Sequence, residues 1–117
     1  MAIPSGTASS NAIEICCAPL THGSITASQA ASLALPLKAL ADPARLRLVS
    51  MVAAAANGEA CVCELTRQLG LSQPTVSHHL KVLARAGIIT RRKRGVWSYY
   101  ALVPATMEAL SAVLKAE

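Results

Sequence analysis

The stretch "VCELTRQLGLSQPTVSHHLKVLARAG", residues 62 to 87, decides the fold. Its first part reads as a short helix. Leu65 and Leu69 stand one turn apart, and Gly70 follows where a helix takes a left-handed stop. Leu71 lies in a turn. Ser72 then offers a hydroxyl to the first N–H groups of a second helix, and Pro74 falls in its first turn, where N–H groups have no helical partner. Val76, Leu80 and Leu83 form the inward stripe, and Gly87 ends the helix. Two helices joined by a short turn, the second capped and polar outside, make a helix-turn-helix.

Downstream, "IITRRKRGVWSYYALV" (88–103) places β-branched and aromatic residues on both sides of an Arg94-Gly95 turn, which predicts a two-stranded hairpin. "PATMEALSAVLKAE" (104–117) puts Met107, Leu110 and Leu114 on one helical face. Upstream, "DPARLRLVSMVAAAA" (42–56) has Asp42 as a cap and Pro43 at the favoured first position, with Leu46, Val49, Val52 and Ala53 on a shared face. "ASQAASLALPLKALA" (27–41) is also helical, and Pro36 is expected to kink that helix or mark its true start. Residues 1–26, rich in Ser, Thr, Gly and Ala, read as a flexible tail carrying the adjacent thiols Cys16 and Cys17. The fold class is mainly α with a β-hairpin wing: a winged helix-turn-helix over residues 27–117, dimeric through its terminal helices.

Composition narrows the function. A chain of 117 residues with no Phe and one Trp suits a single core of small, closely packed helices, shared across a dimer. The net charge is +5, and four of the cations are consecutive in "RRKR" (91–94). Without a basic amphipathic helix beside it, that run favours nucleic acid over membrane as partner. No apolar run approaches membrane-spanning length, and the N-terminal stretch lacks a basic region followed by an apolar block. The expected location is the cytoplasm, where four cysteines are kept reduced and serve metal or redox chemistry rather than structural bridges. No catalytic base or substrate-pocket pattern stands out, so an enzyme is not expected.

A recognition helix needs short polar side chains near its N-terminus and cations for phosphates. Ser72, Gln73, Thr75, Ser77 and His78 supply the first, and Lys81 joins His78 on the side away from Val76, with Arg85 beyond. His79 falls within about 60° of the apolar stripe, at ~100° per residue, and is expected to pack or cap. Gln73 suits adenine, and Thr75 suits a thymine methyl or a base edge. Arg91, Arg92, Lys93 and Arg94 form a wing for phosphate or minor-groove contact with double-stranded operator DNA.

The thiols form two pairs. Adjacent cysteines such as Cys16 and Cys17 are poor bridge partners, because neighbouring Cα atoms are only ~3.8 Å apart. Cys61 and Cys63 would point about 200° apart on a regular helix, and converge only if Cys61 lies in extended or capping backbone. Thiolates select thiophilic ions. Three sulfurs in a pyramid suit arsenite or antimonite; four in a tetrahedron suit cadmium, lead or zinc. A thiol-redox switch is the further alternative. The terminal helix offers Glu108 and Glu117 with no His nearby in sequence, so a site of harder ligands is not expected there.

These residues resemble the ArsR/SmtB family of metal-responsive repressors. The likeness runs from about residue 37 to residue 114 and rests on "KALADPARLRLV", "ACVCEL", "LGLSQPTVSHHLKVLARAGI" and the basic wing with "WSYYAL". The resemblance implies a homodimer that represses its own resistance operon and leaves DNA when an ion binds. It also implies a thiolate site at "CVC". Family members that sense arsenite with this segment alone carry a third cysteine shortly after it, whereas "CELTRQ" here has none. Ala60 and Glu64 stand where Leu and Asp are usual. The expected ligands are therefore Cys61 and Cys63 together with Cys16 and/or Cys17, for arsenite or antimonite, with a four-thiolate cadmium or lead site as the alternative. Capture would disturb the spacing of about 34 Å between recognition helices that a palindromic operator requires. Replacing Arg92 or Arg94 with Ala should weaken binding to all DNA sequences alike and lower the salt slope by about one unit per lost phosphate contact, read by anisotropy titration at several salt concentrations.

Overall fold

A computed structural model describes residues 19–116. Helix α1 (Ala27–Leu40) opens with a capping box. Thr26 Oγ1 accepts from the Gln29 N–H at 3.0 Å, and Gln29 Oε1 accepts from the Thr26 N–H at 2.9 Å. Pro36 marks neither end of this helix; it lies inside it and is buried. Of the segment expected to be tail, residues Leu20–His22 form a 3-10 turn lying against the C-terminal helix.

Helix α2 (Pro43–Ala54) starts at Asp42, whose carboxylate accepts from the Arg45 N–H at 3.1 Å. Its buried residues are Leu48 and Val52, while Leu46 is 54% exposed. The expected inward face is thus rotated. Leu46 and Leu48 point about 200° apart on a helix, so only one can meet the core. Packing against the following helices and the sheet selects Leu48.

The chain next turns through Asn57 and Gly58, both with positive φ (61° and 71°), into a short strand, β1 (Glu59–Cys61). Helix α3 (Val62–Leu69) follows with no intervening loop and stops at Gly70, φ 76°. Helix α4 (Gln73–Arg85) begins at Ser72 and buries Val76, Leu80 and Leu83. Strands β2 (Ile89–Arg94) and β3 (Trp97–Leu102) form the hairpin, turning through Gly95 and Val96 rather than Arg94 and Gly95. The sheet has three strands, not two: β1 pairs antiparallel with β3, giving the order β1-β3-β2. Three residues are too few for strand alternation to show in sequence, and "EAC" is completed as a strand only by its neighbour.

Helix α5 (Pro104–Leu114) is tied to the end of α4 by Thr106 Oγ1, which donates to the Gly87 carbonyl at 2.7 Å. It turns Leu110 and Val113 inward onto Leu33 of α1, forming a small second core. Leu114, expected on the apolar face, is 57% exposed, as is Leu35 of α1 at 54%. The main core gathers Leu48, Val52, Leu65, Val76, Leu80, Leu83 and Ile88. Replacing Leu48 with Ala should cost ~2–5 kcal/mol in urea unfolding, and replacing Leu46 with Ala within about 0.5 kcal/mol; equal effects would reverse the assignment of the two faces of α2.

Candidate thiol site and nucleic-acid interface

Cys61 ends β1 and caps α3. Its backbone is extended (φ −76°, ψ 143°), the condition under which the two thiols can converge. They do: Cys61 Sγ lies 2.6 Å from Cys63 Sγ and accepts from the Cys63 N–H at 3.4 Å. Cys63 is exposed and Cys61 half-buried. Partial burial pushes the Cys61 thiol up, but the hydrogen bond from Cys63 and the backbone N–H groups of Cys63 and Glu64 outweigh it and hold Cys61 below its usual value. The same contact, with some desolvation, pushes Cys63 up. No group of three His, Cys, Asp or Glu side chains converges among the described residues, so this is a two-sulfur site there. Cys16 and Cys17 lie outside the described residues.

On α4, Gln73, Thr75, Ser77, His78 and Lys81 are all exposed. Ser72 is also exposed, but its hydroxyl is engaged: it accepts from the Thr75 N–H at 3.4 Å and donates to Thr75 Oγ1 at 2.9 Å. Ser72 thus works as the helix cap. His79 turns the other way and is held by Arg45, whose Nη1 lies 3.0 Å from His79 Nδ1. Arg45 Nε also donates to the Ala39 carbonyl at 2.7 Å, so one guanidinium clamps α4 to the junction of α1 and α2.

The four wing cations divide between the two faces of the sheet. Strand alternation puts Arg91 and Lys93 on one face, in rows with Tyr100 and Ser98, and Arg92 and Arg94 on the other, in rows with Tyr99 and Trp97. Arg91 Nε donates to Ser98 Oγ at 3.2 Å. Its face looks across a groove of about 530 Å³ to Gln73, Ser77, Lys81 and Arg85 of α4. Three cations and several hydroxyl and amide groups around an open groove suit an anionic strand. Arg85 and Ser98 belong to this surface. The basic character of Arg85 was visible in sequence, but only the register of β2 on β3 brings Ser98 into it.

On the opposite face, Arg92 and Arg94 meet Glu59 of β1. Arg92 Nη1 lies 2.8 Å from Glu59 Oε2, and Arg94 Nη1 lies 2.7 Å from Glu59 Oε1. Arg94 also stands over the Tyr99 ring, 5.0 Å from its centroid. The hydrogen bond from Arg92 holds the Glu59 carboxyl below its ordinary range; partial desolvation works against it and Arg94 adds to it. Glu59 is the site residue that sequence reasoning passed over. Its partners lie far along the chain, and nothing local marks it.

The profile of the arsR family of bacterial regulatory proteins matches residues 42–91, which span α2, the helix-turn-helix and the start of the wing. The arsenic resistance transcriptional regulator ArsR1 of Pseudomonas putida is 47% identical over 78 residues, which are 67% of this chain and 59% of that protein. This chain thus spans somewhat over half of that relative's length. The structure of the antimony-specific transcriptional repressor AntR is 29% identical, with a TM-score of 0.64 over 78% of this chain and 81% of that one. The homodimeric winged helix-turn-helix domain of a possible ArsR-family regulator from Mycobacterium bovis is 26% identical, with a TM-score of 0.61 over 76% and 83% of the two chains. With the helix-turn-helix, the three-stranded wing and the matched segment in agreement, the chain belongs to the ArsR family of winged helix-turn-helix transcriptional regulators, which are not enzymes.

Proposed function

We propose that this protein is a cytoplasmic, homodimeric repressor that binds double-stranded operator DNA and releases it when cysteine thiolates capture arsenite or antimonite. One observation carries the reading: the convergence of Cys61 and Cys63 on the residue that joins the wing sheet to the helix-turn-helix. Soft sulfur ligands fit trivalent arsenic or antimony. Two thiolates fill only part of the shell, and Cys16 or Cys17 supplies the rest. The names of the arsenic-resistance and antimony-specific relatives favour a metalloid over cadmium or lead. The exposed leucines Leu35 and Leu114, beside the small core between α1 and α5, support a dimer closed by the terminal helices. No helix among the described residues is long and apolar enough to cross a membrane.

On DNA, Gln73, Thr75, Ser77 and His78 read base edges, while Lys81, the wing cations and the groove between α4 and the sheet hold phosphates. The geometry of a duplex supports this division. A recognition helix in the major groove and a wing at the minor groove must straddle the backbone that separates them. The groove lined by Lys81, Arg85 and Arg91 lies between those two elements.

An ion then acts through α3. Closing sulfurs around it fixes the backbone at Cys61 and biases the helix-turn-helix toward a DNA-free arrangement, which needs only a few kcal/mol of preference. A Cys61→Ser/Cys63→Ser double variant should bind operator DNA like the wild type yet stay bound in arsenite, as read by gel shift; release at wild-type arsenite would place the sensor elsewhere.

Proton release separates the candidate ions. Arsenous acid carries hydroxyl groups that leave as water with the thiol protons, so its capture frees no net proton. A divalent cation instead displaces one proton from each thiol it takes. From about pH 8 to about pH 6, arsenite-driven release should hold nearly constant, while cadmium-driven release should need about tenfold more ion per thiol for each pH unit below the thiol's own pKa. An arsenite response that falls steeply with acid would exclude direct thiol capture of arsenous acid.

A further inference from the structure

Glu59 holds the two wing arginines on its own face of the sheet. Its carboxylate meets Arg92 at 2.8 Å and Arg94 at 2.7 Å, with a second contact from Arg94 Nη2 at 2.9 Å. The Glu59 side chain is 9% exposed, whereas those of Arg92 and Arg94 are 53% and 58% exposed. The acid is thus seated in the sheet while both guanidinium groups reach solvent. Its two oxygens serve two cations from the outer strand, across β3. That pattern, an oxyanion shared by neighbouring arginines, is the one a DNA backbone phosphate offers.

From this geometry we infer that Glu59 stands in for a backbone phosphate and competes with DNA for Arg92 and Arg94. The inference rests on the proposed role of the wing in phosphate binding, and it adds an opposing group within the chain. Operator binding then exchanges one partner of each arginine for another. The exchange lowers the net gain from both contacts, and it lowers it equally for every DNA sequence, because phosphates carry no base information. Glu64, also acidic and exposed at the start of α3, lines the same hollow as Glu59, while Arg92 and Arg94 both pair with Glu59; it provides the control for a simple change of net charge.

The test is a thermodynamic cycle on the full chain, with operator DNA titrated by anisotropy at several salt concentrations. Glu59→Gln should raise affinity about 3- to 10-fold and steepen the salt slope by about one unit, while Glu64→Gln should change affinity by less than about 2-fold. In an Arg92→Ala/Arg94→Ala background the gain from Glu59→Gln should disappear. A Glu59→Gln gain no larger than that of Glu64→Gln, or one that persists without the arginines, would overturn the competition. Loss of the arginines with no effect on affinity or salt slope would instead overturn the phosphate-binding role of the wing, a separate result. Glu59→Thr, a residue suited to a strand, carries the same expectation if the Gln variant proves unstable in thermal unfolding.

Discussion

The proposed function turns on one backbone transition, from strand to helix at Cys61. Residues 59 to 61 are hydrogen-bonded to β3, and residue 62 is already helical. No loop separates the wing sheet from the helix-turn-helix, so neither can shift at this point without the other. The transition also explains the thiol geometry. In a continuous helix Cys61 and Cys63 would face apart; with Cys61 extended, both sulfurs come to the same side. The residue that joins the wing sheet to the helix-turn-helix is therefore also a thiol of the candidate sensor.

Around that junction, the packing fixes the recognition helix firmly. Val76, Leu80 and Leu83 are all fully buried against α2, α3 and the sheet, and Arg45 grips His79 from the side. In the proposed mechanism, a small change at the start of α3 is conveyed to α4 through close-packed side chains, which transmit displacement rather than absorb it. The second core, between α1 and α5, is much smaller and leaves Leu35 and Leu114 open to solvent. Its size fits a surface completed by a partner subunit.

The wing shows how one basic run can have two environments. "RRKR" looks uniform in sequence, but a strand sends alternate residues to opposite faces. Arg91 borders the groove toward α4 with Ser98, while Arg92 and Arg94 lie against Glu59 and Tyr99. A count of positive charges describes the attraction to DNA, but it does not tell which cations are already engaged.

The sequence by itself determined the elements with strong local signals. The stop at Gly70, the cap at Ser72 and the stripe of Val76, Leu80 and Leu83 define the helix-turn-helix, because capping chemistry and helical periodicity act within a few residues. The turn-rich basic hairpin was legible for the same reason, as was the inward turn of His79. Tertiary structure decided what depends on partners distant in the chain. It chose Leu48 over Leu46, since either could have faced a core; it made a strand of Glu59–Cys61, which has too few residues to declare itself; and it set Val113 inward in place of Leu114. Glu59 belongs with these. Its carboxylate meets guanidinium groups more than thirty residues away, and only the pairing of β1 with β3, and of β3 with β2, brings those charges together.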